Sequence, residues 1–284
     1  MQKLRISSSL NVHLFPRDDV SEFIRTGLIF QKQMGYDASD FSCWLIDFLD
    51  DSWHTYIEKA IKASEDVGIK FEIGHLPFSV KICRCPEELP AFNQKMHNAI
   101  DAMAQMKVKY AVLHPNTITL PMEEYDRNFQ HNNVIEHLAP FAEHAAKVNL
   151  NLVIENMRLV HSHTPTHRYC QEPDELCNVA DELGFGVCWD FGHANTCEFK
   201  QSEALSYIGS RLKVLHVNDN KGKDDDHLLP FLGTVDWKDV AKGLTDIGFD
   251  GLFNYEVILK NVPSVMKETI SRYLMECANE IMSY

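Results

Sequence analysis

Short, mostly apolar runs of β-type sequence recur along the chain, separated by longer segments whose apolar residues repeat at helical spacing. The strand-like runs fall at 4–13, 36–43, 70–75, 110–114, 152–156, 186–190, 212–217 and 252–257. The helical segments fall at about 17–34, 53–67, 86–106, 123–148, 173–183, 201–208, 236–247 and 265–282. Gly68 follows the second helix, where a left-handed C-cap commonly stops one. Pro86-Glu87-Glu88 makes a good first helical turn, because proline lacks only a donor that is unpaired there and acids favour the positive end of the helix dipole. Eight strands alternating with eight helices predict an α/β fold, a closed parallel (β/α)8 TIM barrel.

The length agrees with that reading. The chain has 284 residues, and a barrel of this kind takes roughly 250. The expectation is a single (β/α)8 barrel domain over 1–284, with no linker, low-complexity tract or further repeat. The longest loops follow the fifth and seventh strands.

Six of the strand-like runs end in a residue able to bind a divalent cation: His75, His114, Glu155, Asp190, His216 and Glu256. A parallel barrel gathers the C-terminal ends of its strands around one mouth, where its active sites lie. Glu155 and Glu256 end strands five and eight and can face each other there, with Asp190 and His216 between them. A single Glu or His at a strand end is ordinarily a loop-facing polar group. Four at the same structural position point instead to a metal site. Three carboxylates and one imidazole suit Mn²⁺, Mg²⁺, Co²⁺ or Zn²⁺ and leave positions for substrate oxygens. Two carboxylates flanking a substrate carbon can take and return a proton.

Charge narrows the partners. Lys and Arg number 27 against 41 Asp and Glu, a net charge of −14. Nucleic-acid binding relies on clustered cations, so an acidic surface argues against it and against anionic membranes. The apolar runs fall far short of the about 20 residues a membrane span requires. The N-terminus lacks a signal-like apolar segment, and eight scattered cysteines read as free buried thiols, so a cytoplasmic protein is expected. Cys83-Arg84-Cys85 has the wrong spacing for the common zinc knuckle. A homo-oligomer stays open.

The strings I-E-N at 154–156, W-D-F-G-H at 189–193, H-V-N-D at 216–219, D-D-H-L at 225–228, G-T-V-D-W at 233–237 and Y-E at 255–256 resemble the xylose isomerase-like barrels. That superfamily holds sugar phosphate isomerases and epimerases, ketose 3-epimerases, inosose dehydratases and type-IV apurinic endonucleases (AP endonuclease family 2). The resemblance runs from His75 to Glu256. It implies that Glu155, Asp190, His216 and Glu256 are metal ligands, that Glu155 and Glu256 double as the catalytic acid/base pair, and that His193 contacts a substrate oxygen. It implies one divalent ion, and up to three if the fuller endonuclease set is filled. That branch holds three zinc ions with nine ligands, all matched in type here by His75, His114, Glu155, Asp190, His193, His216, Asp225, His227 and Glu256.

Two features weigh against DNA cleavage. Leu76-Pro77-Phe78-Ser79-Val80-Lys81 lacks the Tyr-Leu pair that endonucleases wedge into DNA, and the loop at 42–51 is acidic. The expected activity is therefore that of a metal-dependent sugar or sugar phosphate isomerase/epimerase, working through an enediolate on a small-molecule substrate. An apurinic endonuclease or an inosose dehydratase-like lyase is the alternative.

Further candidates flank the site. Arg158 can hold a phosphate or carboxylate, or sit on the surface. Trp44, near the second strand's mouth, can stack on a sugar ring. Lys221 and Lys223 can meet an anionic substrate, or be neutralised locally by Asp224, Asp225 and Asp226 among which they lie. His161, His163 and His167 suit a mobile, solvated lid better than a metal site. Trp189 should point away from the barrel axis by strand alternation. His13 either lines the pocket or faces a helix.

Overall fold

A computed structural model describes residues 4–9, 19–79, 84–197, 199–259 and 262–284. Eight parallel strands form its centre: β1 (Arg5–Ser9), β2 (Ala38–Ser42), β3 (Phe71–His75), β4 (Tyr110–Leu113), β5 (Leu152–Glu155), β6 (Gly186–Asp190), β7 (Leu212–His216) and β8 (Leu252–Tyr255). They pair in the order β8-β1-β2-β3-β4-β5-β6-β7. The remaining seam, between β7 and β8, is closed by a parallel bridge between Val217 and Tyr255. There the Val217 N–H donates to Asn254 O at 2.8 Å, and the Glu256 N–H donates to Val217 O at 3.2 Å.

The expected alternation holds. The long helices are α1 (Val20–Met34), α2 (Trp53–Val67), α3 (Leu89–Gln105), α4 (Arg127–Lys147), α5 (Pro173–Leu183), α7 (Gln201–Ile208), α8 (Trp237–Asp246) and α9 (Lys267–Ile281), with a one-turn α6 (Phe191–Asn195) following β6. Asp19 caps α1 by accepting from the Ser21 and Glu22 amides, and Asp126 caps α4 through Phe129 N–H. Gly68 ends α2 at φ 71°, a left-handed conformation that glycine adopts without a Cβ clash. His13 and Cys83 lie outside the described residues.

Strand periodicity divides the side chains between two environments. Ala38, Ile73, Val112, Val153, Cys188, Val214 and Leu252 form an apolar plug inside the barrel. Residues one position along pack outward against the helices. Trp189 is one of these, fully buried, with its Nε1–H donating to Gln201 Oε1 on α7 at 2.9 Å. The seven described cysteines are free. No helix among the described residues is long and apolar enough to cross a membrane.

The long loop after β5 corrects an expectation. Thr166–Arg168 pairs antiparallel with Thr119–Pro121, the loop after β4. His167 Nε2 donates to the buried Glu175 carboxylate at 3.0 Å, and its Nδ1 accepts from Gln171 Nε2 at 2.9 Å. Glu175 also accepts from Tyr125 Oη at 2.5 Å and Cys170 N–H at 3.0 Å. This part of the loop is a clamped ribbon rather than a mobile lid, because a buried carboxylate with three donors fixes the segments that carry them. His161 and His163 are both exposed, and His161 is tied to Thr196 O at 3.2 Å.

Candidate metal centre

Above the apolar plug, the next inward positions of the strands are polar. Glu155, Asp190 and His216 are the last residues of β5, β6 and β7, and Glu256 follows β8 directly. One donor atom from each of the four lies within 4.8 Å of the others. His216 Nδ1 is 3.0 Å from Glu155 Oε1, 3.1 Å from Glu256 Oε2 and 4.0 Å from Asp190 Oδ2. Glu155, Asp190 and His216 are fully buried, and the Glu256 side chain is 27% exposed. Such a set of three carboxylates around one imidazole fits a divalent cation.

Asp190 is held from several sides. Its backbone N–H donates to Asn156 Oδ1 at 2.6 Å, Asn218 Nδ2 donates to its Oδ2 at 2.7 Å, and its Oδ1 caps α6 by accepting from His193 N–H at 2.6 Å. Gly192 permits this closure, since a Cβ there would meet Asn218 Oδ1 at 1.9 Å. Asn156 and Asn218, which lie within the I-E-N and H-V-N-D strings, thus hold Asp190 in place, a contact that neither string announces. Asp40 was missed outright. It is a buried acid on β2 whose Oδ2 accepts from Asn254 Nδ2 at 2.9 Å, and burial raises its pKa. It read as one position of a core strand.

The remaining predicted residues converge on the same mouth in two further groups. His75 Nε2 and His114 Nε2 lie 3.4 and 3.0 Å from Glu155 Oε2, and the three form a second cluster of metal-type donors. His193 Nε2 and His227 Nε2 both lie 3.3 Å from Asp225, on different oxygens. Arg158 Nε approaches Asp225 Oδ2 at 3.9 Å. Trp44 lies half exposed on the turn after β2 and lines a cavity that His75 also borders.

Tautomers sharpen this geometry. A carbonyl oxygen only accepts, so a ring nitrogen beside one must carry the proton. His75 Nδ1 is 2.9 Å from Leu76 O, His193 Nδ1 is 2.7 Å from Asn156 O, and His227 Nδ1 is 2.8 Å from Glu256 O. In a neutral ring each Nε2 then presents a lone pair towards a carboxylate. Acceptor facing acceptor needs a cation between them or a proton on the ring. Glu155 Oε2 and Asp225 Oδ1 are buried, and these imidazole nitrogens are what face them. This geometry fits bound metal.

Without metal, the protons go to the rings. Burial opposes charge on His193 and His227, but Asp190 and Asp225 at the first, and Asp225 and Glu256 at the second, raise both to about 10. His114 is pulled down to about 4, chiefly by burial, and faces Glu155 as a neutral ring. Burial works against the charge on Glu256, yet His216 and His227 hold it down at about 2.

The comparisons with known proteins agree with this architecture. The family described as xylose isomerase-like TIM barrel matches residues 30–278. An uncharacterized protein of Methanocaldococcus jannaschii is 28% identical over 255 residues, covering 85% of this chain and 83% of its own. The fructoselysine 3-epimerase of Shigella flexneri is 24% identical over 172 residues, 56% of each chain. Among solved structures, a D-tagatose 3-epimerase-like protein superposes with a TM-score of 0.72 at 20% identity, covering 98% of this chain and 99% of its own.

Proposed function

The chain belongs to the xylose isomerase-like TIM barrel family, and we propose that it is a divalent-metal-dependent sugar isomerase or epimerase. One observation carries the reading: Glu155, Asp190, His216 and Glu256 bring their donor atoms within 4.8 Å at the mouth of the barrel. The similarity to proteins named as fructoselysine and D-tagatose 3-epimerases supports a ketose or related sugar as substrate. The same reading places the enzyme in the cytoplasm, with 1–284 as one domain.

In this mechanism the four residues hold one ion of Zn²⁺, Mn²⁺, Mg²⁺ or Co²⁺. When bound, the cation polarises the substrate carbonyl and stabilises the negative charge that develops on its oxygen. The protein supplies the proton transfer. Glu256, the most exposed of the four, takes the proton from the carbon beside the carbonyl, and Glu155 serves the opposite face. Glu155 Oε2 is the oxygen turned towards His75 and His114, so this role belongs to a site with a single ion. His193 and the Asp225/His227 pair then bind substrate hydroxyls. The test is solvent deuterium exchange at the carbon beside the carbonyl, on a substrate found by screening. Retained activity in both Glu155→Gln and Glu256→Gln would overturn the mechanism.

One observation favours a second reading, a three-zinc phosphodiesterase of the apurinic endonuclease type. Glu155 is shared between two donor clusters, and Asp225 lies between two imidazoles. Three tightly held ions per chain, with incision of abasic DNA abolished by Glu256→Gln, would select it. The net charge of −14 opposes it.

A further inference from the structure

Beside the candidate metal centre lies a cavity of about 660 Å³ between the loops after β2 and β3. Trp44, Ile46, Leu49, Phe78 and Phe92 supply its apolar walls, and His75 borders it. Trp44, Leu49 and Phe78 are 50%, 50% and 51% exposed. Leu49 and Phe78, two large apolar side chains half exposed beside one cavity, mark a surface built to be covered. The cavity adjoins the metal centre through His75. The Phe78 ring stacks on His114 at 4.4 Å and meets His75 edge-on at 5.8 Å, so one aromatic wall runs from the ligand-type imidazoles outward.

Resting on the isomerase or epimerase reading, we propose that this cavity is a subsite for an apolar, aryl or alkyl, substituent of the substrate. The substrate would be a substituted sugar rather than a bare sugar or a sugar phosphate. The cavity's chemistry carries the distinction. A sugar's hydroxyls need hydrogen-bond partners along their whole length, whereas the walls that Ile46, Leu49, Phe78 and Phe92 supply offer none; the polar lining is Ser79, Glu87, Glu88, Lys95 and the ligand-type His75. A distal phosphate is disfavoured too, because Glu87 and Glu88 stand at the cavity and its Lys95 lies 3.9 Å from Asp47. A volume of this size suits a group well beyond one reacting carbon.

Trp44 provides the probe. Trp53, Trp189 and Trp237 are buried, so acrylamide quenching of tryptophan fluorescence reports Trp44. Manganese-loaded protein would be titrated with D-fructose, 1-O-benzyl-D-fructose and benzyl alcohol. The expected result is binding of the benzyl ether at least about tenfold tighter than D-fructose, a gain of about 1.4 kcal/mol. It should also shield Trp44 from acrylamide, and the tenfold advantage should be lost in Trp44→Ala and in Leu49→Ala.

Equal or weaker binding of the ether would overturn the subsite. Failure of both sugars to bind, with benzyl alcohol still shielding Trp44, would sink the sugar reading and leave an apolar site standing. Failure of benzyl alcohol as well would end the subsite itself. Sedimentation as a dimer that Leu49→Asp dissociates would assign the cavity to a second copy of the chain instead.

Discussion

His227 donates its Nδ1–H to the backbone carbonyl of Glu256 across 2.8 Å. This bond ties the long loop after β7 to the end of β8 and fixes which nitrogen of His227 faces Asp225. The Ile258 N–H returns the contact by donating to His227 O at 2.9 Å. A loop that sequence alone leaves floating is thereby registered against a barrel strand, and its D-x-H segment reaches the mouth.

Removing His216 should cost the protein its metal before its fold. His216 Nδ1 sits within about 3 Å of two carboxylates, so His216→Ala deletes the central donor. Altering a residue that only supports a ligand lowers metal affinity about 10- to 100-fold. Loss of a donor should exceed the upper figure. Metal analysis after dialysis, with a cooperative urea transition retained, is the check. Full occupancy in the variant would rule out the four-ligand assignment.

Glu256→Gln should keep an oxygen for metal while abolishing the base. Turnover should fall about 10²-fold or more, the usual scale for general acid–base groups. The variant's metal content and substrate affinity should stay close to those of the parent. A variant that turns over at the parent rate removes Glu256 from the proton transfer.

The metal-free protein should lose stability as the pH rises. His193 and His227 are raised from 6.5 to about 10 in the folded state. The folded form therefore binds their protons more tightly than the unfolded chain does. That contribution is fully present below about pH 6.5 and disappears as the pH climbs through about 10. His114, pulled down to about 4, acts in the opposite sense and costs stability as the pH falls below 6.5. Urea midpoints of chelator-treated protein at pH 6.5 and pH 9.5 test the sign. A midpoint that rises between them contradicts it. A cation held by Asp190 and Glu256 would offset carboxylate charge that raises the two imidazoles, so protons should leave as it binds and calorimetric heats should change with the buffer's ionisation enthalpy.

Glu175→Ala should destabilise the fold by about 3 kcal/mol, because buried donors lose their acceptor. Tyr125, His167 and Cys170 all donate to that carboxylate. Denaturant unfolding measures it, and a change below about 0.5 kcal/mol, the scale of an ordinary surface substitution, would show that the ribbon holds without the clamp.

The barrel was legible because its information is periodic and local. Each ligand-type residue ends a run such as L-V-I-E or G-V-C-W-D, and strand alternation then fixes which face it takes. The ribbon at Thr119–Pro121 and Thr166–Arg168 was not legible. Its strands are three residues each and their pairing joins two separate loops, so neither segment carries a period of its own. His167 read as solvated because nothing near it in sequence announces the buried Glu175 eight positions on. Asp40 was hidden for the opposite reason. It sits inside an ordinary β-type run, and only closure of the barrel carries it beneath the mouth with Asn254, which lies 214 positions away.

The seam between β7 and β8 has a mechanical consequence. Those two strands meet through a single bridge beyond the end of β7, whereas β6 and β7 are registered at four pairs. His216 and Glu256 stand on either side of that join, 3.1 Å apart. An ion gripped by both would act as a clasp on the least-laced edge of the cylinder. Its departure would then be felt first as breathing of the barrel wall, with amide protons at Val217 and Glu256 exchanging sooner than their neighbours across β6.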